Sequence, residues 1–261
     1  MMNSIQECLA RLMVRVKVNR AWSGTWSEHP VHFKRRRRGG SLSIWLGNLF
    51  LRLADSGIEM FVHSSEWAAW EKECYATLYP GLPPVAELPD GCLILPALPG
   101  ESLRRLRQDE FTAERIAAVA NELQRTHQLH CSYFREGWSH GDLHLDNVLL
   151  DVTTGQVHLI DFDTRHVRCL SHTRRCADDL LVFLLDLITS ETWDWQPLTK
   201  TFLQEYDDKC ILQALRDLLV VPTGLRKILW LTRTNLPDDS AVRSRLEILQ
   251  GFICQFVDEQ S

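Results

Sequence analysis

The 261-residue sequence contains no GxGxxG, no GxxxxGK[ST] and no CxxC, so neither a phosphate-covering loop nor a thiol metal or redox site can be read from a fingerprint. No segment reaches the roughly 18 apolar residues that a membrane span needs. Met1 to Val18 sets Glu7, Arg11, Arg15 and Lys17 among its apolar residues, unlike the unbroken core of a secretory signal. Eight cysteines (8, 74, 92, 131, 169, 176, 210 and 254) are scattered, several inside apolar helical patterns, and a reducing cytoplasm is the expected setting. A formal net charge of -5 argues against a general nucleic-acid binder. There is no internal repeat and no low-complexity tract apart from Lys34-Arg-Arg-Arg-Arg38.

What is present suits one large domain or two small lobes, with 45% hydrophobic and 24% charged residues. Strand-like alternation dominates to about residue 62, with turns expected at Gly39-Gly40 and Asp55-Ser-Gly57. A helix is expected from Ser64 to Leu78, where Trp67, Trp70, Cys74 and Leu78 recur at helical spacing. Cys92 to Gly100 reads as a buried strand entering a Pro/Gly connection, and a lobe boundary falls near residue 96. Helical patterns then cover about 112–129, 178–188, 198–206, 211–219 and 241–257.

One hairpin interrupts the helices. Val148–Val152 and Gln156–Ile160 are short strands joined by Thr153-Thr-Gly155. The residue before the first strand and the residue after the second lie at the same end, so Asn147 and Asp161 should be neighbours, with Asp142 close by in a polar loop. An amide oxygen beside a carboxylate suits Mg²⁺, a hard ion that shares its shell with phosphates and water. A separate carboxylate can accept a hydroxyl proton and aim the attacking oxygen. Two plainer readings exist: a solvated turn, and a zinc site at His140 and His144, although Gly141 opposes the helix that an HxxxH site requires.

The residues His140-Gly-Asp142-x₄-Asn147 and Ile160-Asp161-Phe162-Asp163 resemble the catalytic loop and metal-binding Asp of protein-kinase-like phosphotransferases, in the HGD form of bacterial small-molecule and lipopolysaccharide kinases. The resemblance covers roughly residues 45 to 190 and is tightest over 138 to 163. It implies an α+β bilobal fold: a small N-terminal antiparallel sheet with one helix (1–95, clamping nucleotide), then a larger, mainly helical catalytic lobe (96–261). It implies ATP and Mg²⁺, with Asp142 as catalytic base, Asn147 and Asp161 holding the metal, and His140 structural. The role of Asp163 is less defined.

Such enzymes hold the nucleotide phosphates with a strand cation paired to a helix glutamate. Glu71 lies on the apolar face of the expected 64–78 helix and needs a partner. Arg52, in an expected strand Asn48–Ala54, precedes it by 19 positions, so an Arg52–Glu71 pair is expected, with Arg in place of the usual Lys. Separate surface positions for the two are the alternative. Ser23-Gly24-Thr25 and Gly39-Gly40-Ser41 are candidate phosphate loops or ordinary turns. Leu95 to Leu98 resembles the hinge whose backbone binds adenine.

Arg165, His166, Arg168, His172, Arg174 and Arg175 lie between Asp161 and a helix expected to start at Asp178-Asp179. This short basic segment suits an anionic acceptor. Asp179 resembles the Asp that braces the catalytic loop, with N-capping as the alternative. Lys34–Arg38 reads as a solvated turn or as a peripheral contact for anionic lipid, lipopolysaccharide or nucleic acid. The resemblance is strongest to lipopolysaccharide-core kinases acting on heptose or Kdo sugars, at the inner face of the bacterial inner membrane. Ser/Thr protein kinases, aminoglycoside phosphotransferases and a non-catalytic pseudokinase are the alternatives.

Overall fold

The computed structural model describes residues 18–37, 39–191, 193–221, 223–233 and 239–259. The N-terminal stretch read against a secretory signal thus lies outside them up to residue 17, as does Arg38. In chain order the elements are β1 (Asn19–Trp26), β2 (His29–Arg36), α1 (Gly40–Leu53), β3 (Ile58–Met60), α2 (Ser64–Leu78), β4 (Ala86–Glu87), β5 (Leu93–Pro96) and β6 (Glu101–Ser102). They continue with α3 (Ala113–Gln128), β7 (His130–Cys131), β8 (Glu136–Gly137), β9 (Val148–Leu150), β10 (Val157–Leu159), β11 (Thr164–His166), α4 (His172–Ile188), α5 (Trp195–Tyr206), α6 (Lys209–Leu218), α7 (Gly224–Arg233) and α8 (Asp239–Glu259). The fold is mixed α+β, with its antiparallel sheet N-terminal and most of its helices after residue 112.

Two compact units divide the chain: residues 1–98 with 162–167 and 224–232, and residues 99–161 with 168–223 and 233–261. In the first, the sheet order is β1-β2-β5-β4. β1 and β2 run antiparallel from Asn19↔Arg36 to Trp26↔His29. Ser27 and Glu28, both at positive φ, close the hairpin in the doubly left-handed turn that matches strand twist. α2 has the limits expected from its spacing and buries Trp67, Trp70, Cys74 and Leu78.

The segment expected as a strand at Asn48–Ala54 is instead the second half of α1, so among the described residues up to 98 there are two helices where one was expected. Gly39 at φ 82 starts the helix. Ile44 and Leu51, seven residues apart, are buried on one face, a spacing that suits a helix and would put them on opposite faces of a strand. The Asn48 side chain bonds the N–H and the C=O of Met60, each at 2.7 Å, tying α1 to β3. β11, more than a hundred residues later, pairs antiparallel with β3 through Arg165↔Glu59.

The second unit packs α4 at its centre, where every residue from Leu180 to Ile188 is buried. α4 begins at His172, capped by Ser171, six residues before the expected start, because the polar first turn hides the helical period. A small sheet, β10-β9-β6, carries the expected hairpin: Val157↔Leu150, His158↔Leu149, Leu159↔Val148. Gly100, at φ 105, lies against the backbone of Leu150 and Asp151, where a Cβ would collide.

Candidate active site

In the second unit, the loop from His140 to Asn147 hangs from two buried carboxylates of α4. Asp179 accepts the backbone N–H of His140 at 2.7 Å and of Gly141 at 2.8 Å, and meets His127 Nε2 at 3.2 Å. Asp179 lies well inside α4, so it braces the loop and does not cap the helix. Asp186 accepts the N–H of Leu145 at 2.9 Å and an Arg104 guanidinium N–H. Arg104 also reaches Asp146 at 2.6 Å. Leu143 and Leu145 are fully buried and anchor the intervening backbone.

His140 is structural in its contacts. Burial holds its pKa below the ordinary 6.5, against the pull of Asp179, the Ile160 carbonyl, Asp142 and Asp161. The neutral ring donates from Nε2 to Ile160 O at 2.9 Å and accepts the Asp142 N–H at Nδ1, 3.3 Å. Both nitrogens are thereby engaged, which removes the zinc reading of His140 and His144.

The hairpin closes the other side. Ile160 donates its N–H to Asn147 O at 2.9 Å, and Asn147 Nδ2 donates to Asp142 O at 2.8 Å. With Nδ2 committed, Asn147 has Oδ1 to offer a ligand. Asp161 follows Ile160 with its backbone at φ 67, a left-handed conformation that Asp tolerates better than most residues. The Asp142 side chain is one-third exposed, with His144 Nε2 3.9 Å away. An amide oxygen and a carboxylate are hard donors that fit Mg²⁺.

The first unit holds a buried cation. Lys34 Nζ on β2 contacts Glu71 Oε1 at 3.0 Å and Oε2 at 3.2 Å, and Asp163 Oδ1 at 2.8 Å. Asp163 Oδ1 also accepts from Asn19 Nδ2 at 2.6 Å and from Trp67 Nε1 at 3.0 Å. The pairing of Glu71 with Arg52 is therefore incorrect: Lys34 holds Glu71, and Arg52 is exposed on α1. Leu95 is buried in β5, opposite His32, and Leu98 is the last residue of the first unit's N-terminal segment.

Strand alternation explains why Lys34 escaped notice. Side chains on a strand point to opposite faces in turn. Lys34 and Arg36 both lie over the Trp67 ring, at 5.8 and 5.2 Å, and Arg36 bonds Phe61 O. Arg35 faces the other way and pairs with Asp90 at 2.9 Å. Lys34 to Arg36 thus form the end of strand β2, with Lys34 and Arg36 engaged on one face, and are not a solvated turn. Ser23–Thr25 lies within β1, with a Phe33 ring against Gly24, and Gly39-Gly40 opens α1.

Of the basic residues after Asp161, Arg165 pairs with Glu59 at 2.7 Å and Arg175 is buried against Glu136 and Phe134.

The family model described as APH, phosphotransferase enzyme family, matches residues 72–167, a little over a third of the chain. No curated protein matches. Similar solved structures include an aminoglycoside-3'-phosphotransferase of type VIII, 17% identical over 94% of this chain and 100% of that one, with a TM-score of 0.43. Another is the aminoglycoside phosphotransferase APH(2'')-Ib in an ADP-bound form, 11% identical over 98% of this chain and 99% of that one, with a TM-score of 0.39. Likenesses of this size add no argument. Residues 72–167, which include Asp142, Asn147 and Asp161, are thus similar to a phosphotransferase enzyme family.

Proposed function

We propose that this chain transfers the γ-phosphate of ATP to a hydroxyl of an anionic saccharide, a sugar of the lipopolysaccharide core. The observation that carries the phosphotransfer reading is the buried Lys34–Glu71 pair. Desolvating two charges is costly, and a buried ion pair is weak evidence of stability alone, whereas a fixed cation is what polyphosphate binding needs.

In this reading Glu71 and Asp163 hold Lys34 extended, and Lys34 binds the nucleotide phosphates. Asp142, partly exposed and aimed by the Asn147 and His140 contacts, takes the acceptor proton. Asn147 Oδ1 and the Asp161 carboxylate would hold Mg²⁺, which when bound neutralises phosphate charge. The pseudokinase alternative rests on Arg52 standing where Lys is usual and on the absence of a glycine-rich fingerprint; Lys34 removes the first ground.

The acceptor rests on the HGD and IDFD forms and on Arg168 and Arg174 of the basic segment, Arg165 and Arg175 being held by Glu59 and Glu136. An aminoglycoside-type acceptor is the second reading, favoured by the family matched at 72–167. Release of ADP, measured with Kdo- or heptose-containing core saccharide, an aminoglycoside panel and mixed Ser/Thr peptides, separates them. Turnover stimulated by the saccharide alone is expected. Stimulation by aminoglycosides or peptides alone would replace the saccharide reading.

A further inference from the structure

Helix α1 is apolar on two opposite sides. Ile44 and Leu51 face inward, and Leu51 packs with Ala54, Leu229, Phe50 and Met60. On the other side Leu42, Trp45, Leu46, Leu49 and Leu53 are each between 44% and 67% exposed. At 100° per residue these five fall in one stripe about 100° wide. α1 contains no carboxylate, and its single charge, Arg52, borders the stripe on the Trp45 side. Apolar surface of this continuity marks an interaction face.

We propose that α1 docks this protein onto an anionic bilayer, lying in the interfacial plane with Leu42, Trp45, Leu46, Leu49 and Leu53 among the acyl chains and Arg52 at the headgroup phosphates. The chemistry on the helix selects this occupant. Trp at the rim of a leucine stripe suits the water–lipid boundary. The adjacent cation and the absence of carboxylates complement anionic headgroups. At about 21 Å, α1 is too short to span, and no helix among the described residues is long and apolar enough to do so. A second copy packed through this single helix would cover a strip of about 21 by 10 Å, far short of the roughly 800 Å² per partner of a stable interface. Membrane contact thus moves from Lys34–Arg38, where Lys34 and Arg36 are engaged inside the unit, to α1.

The inference does not rest on the phosphotransfer reading, because binding is scored without nucleotide. The full chain is sedimented with vesicles of phosphatidylethanolamine and phosphatidylglycerol, or of phosphatidylcholine. Binding to the anionic vesicles is expected, weaker on phosphatidylcholine. It should fall roughly tenfold or more in the L42Q/L46Q/L49Q variant, whose circular dichroism stays that of the parent. The proposal is overturned if the parent fails to sediment with anionic vesicles or if the triple variant binds equally. It is also overturned if light scattering finds a dimer that the variant splits, which would assign the face to a second copy. Much tighter vesicle binding by a chain lacking residues 2–17 would assign the face to that segment and equally overturn the proposal.

Discussion

Lys34 and Glu71, 37 positions apart in sequence, meet in a two-contact ion pair at 3.0 and 3.2 Å with both side chains almost wholly excluded from water. Removing one partner leaves a buried charge uncompensated. Lys34→Met is expected to destabilise the protein by about 3 kcal/mol or more, and pairing it with Glu71→Leu to recover much of that loss. Urea denaturation of the single and double variants tests this, and additive losses would contradict it.

Arg52 gives the matching control. It is exposed on α1 and apart from Glu71, so Arg52→Ala is expected to change stability by no more than about 0.5 kcal/mol and to leave ADP release unaltered. A loss of turnover comparable to that of Lys34→Met would restore Arg52 as the phosphate-binding cation.

These two residues mark the limit of what the sequence discloses. The hairpin could be read because turn residues and short apolar strands are local signals, and α2 because four apolar positions repeat at helical spacing. Lys34 could not, because its importance depends on which strand face turns inward, and five consecutive basic residues give no apolar period. The signal was the alternation itself: a strand through the run places Lys34 and Arg36 on one face and Arg35 on the other. α1 misled for the opposite reason, since apolar residues on both sides of a short helix blur helical and strand periods. Asp163, its role undefined in the motif, emerges as the second carboxylate on Lys34.

Asp179 carries the His140–Asn147 loop. Asp179→Asn keeps the shape but replaces one acceptor oxygen by a donor facing backbone N–H groups. A loss of about 2 kcal/mol or more is expected in denaturation, with kcat falling while the apparent ATP affinity holds. A fall in affinity with unchanged kcat would contradict a role in positioning the loop.

His140 makes stability depend on pH. Its folded-state pKa is depressed by burial, so below about 6.5 the unfolded chain takes a proton that the folded chain declines. Its contribution is full above that pH and is lost as pH falls from about 6.5 toward the folded value. Stability measured by urea from pH 7 to pH 5 should fall more steeply in the parent than in His140→Asn. Parallel slopes would show that another group governs this range.

In the proposed function, Asp142 takes the acceptor proton and Asp161 holds Mg²⁺. ADP release in the presence of ATP, Mg²⁺ and the core saccharide, compared among the parent, Asp142→Ala and Asp161→Ala, tests it most directly. Near-complete loss in both variants, with unchanged circular dichroism, is the predicted result; turnover equal to the parent in either variant would contradict the account.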